Sequence, residues 1–255
     1  MLEPWHLPWL FGTGLAAGFV DSIAGSGGLI TLPVLLSFGL NPQVALGTNK
    51  LQASFGSGSA TWHYARAGTV SLRDCGRGFC ITVLGAGLGA CLVQHVRSDS
   101  LRRAIPLILI VVALFTLMKP AFGQEDRPPR LPQGCFDLLF GLGLGFYDGF
   151  FGPGTGTFWT LAYVLGLGFN LTRATGYTKV MNFGSNLSSL AFFLWAGQVL
   201  YWAGLVMGLG QFIGARIGAQ MVVHRGTRFI RPIFISVVLA LAIKLLLAAH
   251  RIPGG

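Results

Sequence analysis

GFVDSIAGSGGLIT, residues 18–31, and GFYDGFFGPGTGT, residues 145–157, are the stretches whose reading decides the fold. Each sits in a long apolar run and sets an Asp just ahead of glycines and hydroxyl residues, where unbroken hydrocarbon would be expected. Backbone released from a helix inside a bilayer finds no water to satisfy it. Such a break persists only where protein buries it or where it lines a wet cavity. The two breaks are therefore expected to face one site between two half-molecules.

The composition supports a lipid setting. The chain is 53% hydrophobic and 10% charged, with a mean hydropathy of +0.65, which no ordinary soluble domain shows. At about 20 residues per span, 255 residues allow roughly eight or nine crossings and leave no room for a separate soluble domain. Lys and Arg give a net charge of +10, but they are scattered through the expected loops and form no face that could track a nucleic acid. The excess reads as topology signal. Cys75, Cys80, Cys91 and Cys135 form no C-x-x-C or Cys/His pair, so they read as packing residues rather than metal or disulfide positions. The N-terminal MLEPWHLPWL lacks the basic start of a cleaved signal and is read as the beginning of the first span.

The chain repeats itself. Gly18, Asp21, Gly25 and Gly27 recur at Gly145, Asp148, Gly152 and Gly154, a shift of 127. From there the shift is 129, and Asn41, Ala45, Gly47 and Lys50 recur at Asn170, Ala174, Gly176 and Lys179. The expected organisation is one membrane domain over 1–255, with a first repeat at about 7–118, a linker at 119–133 and a second repeat at about 134–250. The fold class is all-α, with about eight transmembrane segments in two tandem four-segment repeats. The first helix of each repeat is broken at its Gly-rich loop, the mark of a secondary transporter. Loops 97–103 and 224–231 are both rich in Arg. The positive-inside rule would place both in the cytoplasm, which predicts broken but spanning helices and parallel repeats. The G-x-x-x-G pairs Gly14/Gly18, Gly85/Gly89, Gly141/Gly145 and Gly214/Gly218 predict close helix crossings at matching places.

The polar residues suggest the chemistry. A half-helix beginning near Gly27 or Thr155 turns unsatisfied N–H groups and a positive dipole end toward mid-membrane, which suits an anion. Gly25, Gly27, Gly28, Gly152, Gly154 and Gly156 would let an oxyanion reach the backbone, and Ser26, Thr31, Thr155 and Thr157 would add hydroxyl donors. The alternative is that these glycines serve only tight helix crossing. Lys50 and Lys179, several residues inside a span, are costly there and so mark a site unless they snorkel to the interface. Thr48, Asn49 and Gln52 accompany the first lysine; Thr178, Asn182 and Asn186 accompany the second. Asp21 and Asp148 need a compensating cation, which a lysine, a proton or Na⁺ would supply, or else act as N-caps of the second half-helix. Lys50 is expected to pair with Asp21 and Lys179 with Asp148, with pairing across the repeats as the alternative. His63 has Phe192 at its equivalent position and is read as an interfacial residue. No nucleophile, metal or nucleotide motif occurs.

GFVDSIAGSGGLITLPVLL (18–36), ALGTNKLQASFGSGSATWHYARAGTV (45–70), GFYDGFFGPGTGTFW (145–159) and ATGYTKVMNFGSN (174–186) together resemble the TauE/SafE family of sulfite exporters and organosulfur-anion permeases. The resemblance covers essentially the whole chain. It implies a multi-pass transporter of the bacterial inner membrane that carries small sulfur-containing oxyanions or related organic anions and needs no cofactor. The family's polar signature falls on Asp21, Gly25, Gly27, Gly28, Asn49 and Lys50, then on Asp148, Gly152, Gly154, Gly156 and Lys179. Thr178 stands opposite Asn49, and Pro153 opposite Ser26, so strict symmetry is not expected. Proton or Na⁺ coupling and a homodimer stay open. The competing readings are a membrane-bound enzyme, which needs a clustered nucleophile and base, and a non-transporting partner subunit, which needs a docking loop longer than the 119–133 linker.

Overall fold

The computed structural model describes residues 6–117 and 125–226. Parts of the linker, the Arg-rich 227–231 segment and the end of the second repeat lie outside these residues. Among the described residues all regular structure is helical: α1 (Leu7–Ala24), α2 (Gly28–Ser37), α3 (Pro42–Arg66), α4 (Leu72–Gln94), α5 (Ser98–Leu117), α6 (Gln133–Phe150), α7 (Thr155–Gly166), α8 (Leu171–Trp195) and α9 (Tyr201–Arg225). By length and composition α1, α4 and α9 are apolar enough to cross a membrane. At 25 residues each, α3 and α8 reach about 37 Å, but they carry the polar residues.

Both breaks fall where the sequence places them, and glycine makes them. α1 ends at Gly25, whose φ of +72° is left-handed and whose N–H closes on the Asp21 carbonyl. α6 ends in a turn with Gly152 at +90° and Gly154 at +79°, conformations that cost a side-chain-bearing residue. Asn41 and Asn170 cap α3 and α8 alike, their side-chain oxygens accepting from Gln43 N and Arg173 N at 3.1 and 3.0 Å. Pro33 lies in the middle of α2.

The direction of the chain after each break differs from the expectation. His6, just before α1, packs edge-on against Phe38, just after α2, with ring centroids 4.9 Å apart. A helix continuing straight through the break would separate those residues by about 48 Å. α1 and α2 therefore form a hairpin that returns to the end from which it started. α6 and α7 do the same: Phe136 near the start of α6 packs on Tyr163 near the end of α7 at 4.9 Å. The broken helices fold back rather than continue, so the straight-through path on which the expectation of parallel repeats was built is not the one the chain takes. The physical reason is local. Gly27 N–H bonds back to Asp21 Oδ1 at 3.0 Å, folding the tip onto α1.

The rest of the chain runs between two ends. Gln43 Nε2 donates to the Val96 carbonyl at 2.9 Å, and Gly47 abuts the Gln198 carbonyl, so the starts of α3, α5 and α9 lie at the His6 end. Gly176 abuts Tyr64 and Val70, which puts the end of α3 and the start of α8 at the Phe136 end. α3 and α8 are thus antiparallel. α1 runs parallel to α9, with Gly14 and Gly18 on Met207 and Gln211, and Gly210, Gly214 and Gly218 on Phe11, Leu15 and Phe19. α6 runs parallel to α4 in the same way, with Gly85 and Gly89 on Leu142 and Phe146, and Gly145 and Gly149 on Thr82 and Ala86. An added Cβ at these glycines would enter the partner's backbone, so the G-x-x-x-G pairs are helix crossings. Each hairpin thus docks on a helix of the other half. Two cores result: Leu10, Leu32, Leu46 and Phe193 pack toward one end, and Tyr64, Phe136, Trp159 and Tyr163 toward the other.

Candidate functional site

Lys50 and Lys179 occupy equivalent places. Each lies eight residues inside its helix, about 12 Å deep at 1.5 Å per residue, from opposite ends of the molecule. Neither snorkels; their exposures are 1% and 0%. Each meets the tip of the other half's hairpin. Lys50 Nζ donates to Asp148 Oδ1 at 2.7 Å and to the Asp148 carbonyl at 2.5 Å, and Lys179 Nζ donates to Asp21 Oδ2 at 2.8 Å. The pairing of Lys50 with Asp21 expected within a repeat is not what the chain adopts. The hairpins are exchanged, so the carboxylate at each tip reaches the opposite lysine.

The two tips touch. Ser26 Oγ lies 2.9 Å from Thr157 Oγ1, and Thr157 Oγ1 donates to the Ala24 carbonyl at 3.1 Å. A Cβ on Gly156 would fall 2.5 Å from Gly25 Cα, and one on Gly28 3.2 Å from Pro153 Cα. These glycines therefore do serve close crossing, as the alternative reading held, and they do so at the site. Gly152 leaves room for the lysine: a Cβ there would lie 3.0 Å from Lys50 Nζ. Asp21 is a charge partner and not the N-cap of α2, which is Gly27; its Oδ1 accepts from the N–H of that glycine and ties the turn to α1.

The remaining candidates divide. Asn49 Oδ1 accepts from Thr31 Oγ1 at 2.6 Å and from Gln52 Nε2 at 2.7 Å, and the equivalent pair Thr160 and Thr178 lies at 3.1 Å. These tie the second half-helix of each hairpin to the lysine helix behind it. Thr48 is taken up elsewhere, accepting from Leu200 N at the start of α9 at 2.9 Å. Thr155 Oγ1 closes its own turn on the Gly152 carbonyl at 2.6 Å, and Gly154 is pressed against Val112. Asn182 stands one turn after Lys179 on α8, buried, with its side-chain oxygen lacking a hydrogen-bond partner.

Two contributors were not singled out from the sequence. Ser185 Oγ donates to Asp148 Oδ2. Asn186, noted only as a neighbour of Lys179, instead accepts from Lys50 at 3.3 Å and donates to Ser57 at 3.3 Å. Ser57 and Asn186 are equivalents at the shift of 129, so two matching positions of the sequence repeat meet each other here. That coincidence was available as a signal. Among the described residues no three His, Cys, Asp or Glu side chains converge as metal ligands would.

Two buried ammonium–carboxylate pairs at glycine-built hairpin tips are chemically suited to exchange. An incoming oxyanion can replace the carboxylate at the ammonium, and the displaced carboxylate then needs a proton, a cation or water. Residues 10–245 match the family described as "Sulfite exporter TauE/SafE". The chain belongs to this family. It is 44% identical over 250 residues to the "Probable membrane transporter protein YfcA" of Escherichia coli K12, covering 98% of this chain and 93% of that relative. It is 46% identical over 240 residues to the "Probable membrane transporter protein ORF9" of a Sinorhizobium species, covering 94% and 92%. With a "Probable membrane transporter protein" of Haemophilus influenzae it shares 47% over 226 residues, covering 89% of each. No solved structure matches it. As a TauE/SafE protein, the chain is a multi-pass membrane transporter and not an enzyme.

Proposed function

We propose that the protein is a secondary transporter of small anions, with sulfite, organosulfonates and related oxyanions as the substrate class, and that the anion binds at the hairpin tips against the buried lysines. The observation that carries this reading is the pair of cross-half contacts, Lys50 with Asp148 and Lys179 with Asp21. Each places a cation and a displaceable carboxylate at membrane depth, where an unpaired charge would not be kept without a use. Gly25, Ser26, Gly27, Gly28, Gly152, Gly154, Thr155 and Gly156 form the tips, and Asn49, Gln52, Thr178 and Asn182 back the lysine helices.

The two halves are inverted repeats. A re-entrant hairpin followed by three crossings returns the chain to the opposite face, so the second hairpin enters from the side that the first does not. Antiparallel α3 and α8, each carrying its lysine about 12 Å from a different end, fit that arrangement. Among the described residues Arg66, Arg73, Arg77, Arg127, Arg130, Arg173 and Arg225 gather at the Phe136 end, against Arg97, Arg102 and Arg103 at the other, which supports reading the Phe136 end as the cytoplasmic one in a bacterial inner membrane. Protein in liposomes is expected to exchange labelled sulfite or a sulfonate across the bilayer, with Lys179→Met lowering the flux to background. Flux of no tested sulfite, sulfonate or carboxylate above that of empty liposomes would refute the proposal.

A further inference from the structure

The two ion pairs are related by sequence but not by surroundings. Lys50 has all three ammonium donors engaged, by the Asp148 side chain, the Asp148 carbonyl and Asn186 Oδ1, and an ammonium has three to give. Lys179, equally buried, makes one hydrogen bond, to Asp21 Oδ2. Its equivalent third partner would be Ser57, whose hydroxyl is turned back onto the Ala53 carbonyl at 2.7 Å. The carboxylates differ in what holds their second oxygen: Asp148 is held by two side chains, Lys50 and Ser185, whereas Asp21, with Gly56 at the place of Ser185, has Lys179 on Oδ2 and only the backbone N–H of Gly27 on Oδ1. The Asp21 side chain is 18% exposed and that of Asp148 5%.

A second, independent observation falls on the same side. Asn182 follows Lys179 by three residues and so shares its face of α8. The residue is 6% exposed and its Oδ1 has no partner. Its amide nitrogen lies where a Cβ on Gly156 would be 2.9 Å away, so it is directed at the contact between the hairpin tips. The equivalent residue in the first half is Ala53. A buried amide left unpaired costs stability, and this one lies one helical turn along α8 from a lysine with two unused donors.

We infer that the anion-receiving centre is Lys179 with Asn182, opened when Asp21 yields, and that Lys50 with Asp148, Ser185 and Asn186 is the fastened pair that holds the second hairpin in place. This rests on the anion-transport reading and assigns it to one of the two lysines. Lys179 offers two N–H donors to an oxyanion. The Asn182 amide adds a donor through its nitrogen and, through Oδ1, an acceptor for a proton that the ligand carries.

The test is equilibrium binding of radiolabelled sulfite to purified full-length protein in detergent, with methanesulfonate and acetate as further probes and the thermal unfolding midpoint measured in parallel. Asn182→Ala is expected to weaken sulfite binding about tenfold or more while leaving the midpoint unchanged or raised, since it removes an amide with an unsatisfied oxygen. Asn186→Ser, which gives the fastened pair the first half's residue, is expected to lower the midpoint and keep the affinity within about threefold. Unchanged affinity in Asn182→Ala, or an equal loss in Asn186→Ser, would overturn the assignment while leaving anion binding intact. If the wild-type protein binds none of the three probes, the assignment and the anion reading fall together.

Discussion

Replacing Lys50 by Ala strands Asp148, whose residue exposure is 3%. Asp148 would lose two of its hydrogen bonds, at Oδ1 and at the carbonyl, and keep only Ser185 at Oδ2. Removing one partner of a buried ion pair typically costs 3–5 kcal/mol, roughly a third of the 5–15 kcal/mol that holds a domain folded. Adding Asp148→Asn removes the stranded charge, so the double variant should regain most of that loss. A residue of about 1–2 kcal/mol should remain for the orphaned Asn186 oxygen and the new amide. Adding Asp21→Asn instead should deepen the loss, because Lys179 is then left without its carboxylate. The assay is reversible unfolding of the purified protein in mixed micelles, read by tryptophan fluorescence as the denaturing detergent fraction rises. Neither double variant should transport. Rescue of Lys50→Ala by Asp21→Asn, or no rescue by Asp148→Asn, would refute the exchanged pairing.

Topology gives a sharper contrast. In a version lacking Cys75, Cys80, Cys91 and Cys135, cysteines at Ser100 and Ala196 should be labelled by an impermeant maleimide from one face of the membrane and a cysteine at Ala67 from the other; spanning breaks would put Ser100 and Ala196 on opposite faces. The contact between the tips predicts that Gly156→Ala, whose Cβ would lie 2.5 Å from Gly25 Cα, lowers stability by about 1–3 kcal/mol and abolishes flux in liposomes. Gly143→Ala, with nothing within 4 Å, should leave both unchanged, and equal behaviour of the two variants would show that the tips do not need their close approach.

Much of the site could be read from residue types alone. A lysine inside an apolar span and an Asp ahead of glycines are expensive enough that each points to itself, and a shift of 127 or 129 pairs each with its copy. The path of the chain could not be read so directly, because it turns on a few dihedral angles at Gly25, Gly152 and Gly154. A break permits continuation as well as reversal, and only contacts such as His6 on Phe38 distinguish them. The Arg count is a weak guide to this path, because the two compared loops are few-residue samples, while Arg66, Arg73 and Arg77 at the opposite end weigh the other way. The exchange of partners was hidden for a related reason: both pairings satisfy the same charges. Ser185 gave no sign at all, since its equivalent is a glycine.

The exchanged hairpins also bear on how the chain is made. Asp21 emerges from the ribosome 158 residues before the lysine that neutralises it, about 8–30 s at ordinary synthesis rates. The glycine face of α1 waits longer, for α9. Throughout that interval the first hairpin has neither its counter-charge nor its packing partner, so it cannot settle at its final depth when it is synthesised. Until the second half arrives Asp21 needs a proton, water or the headgroup region in place of Lys179, so insertion of the first helices and their final assembly are expected to be separate events in time.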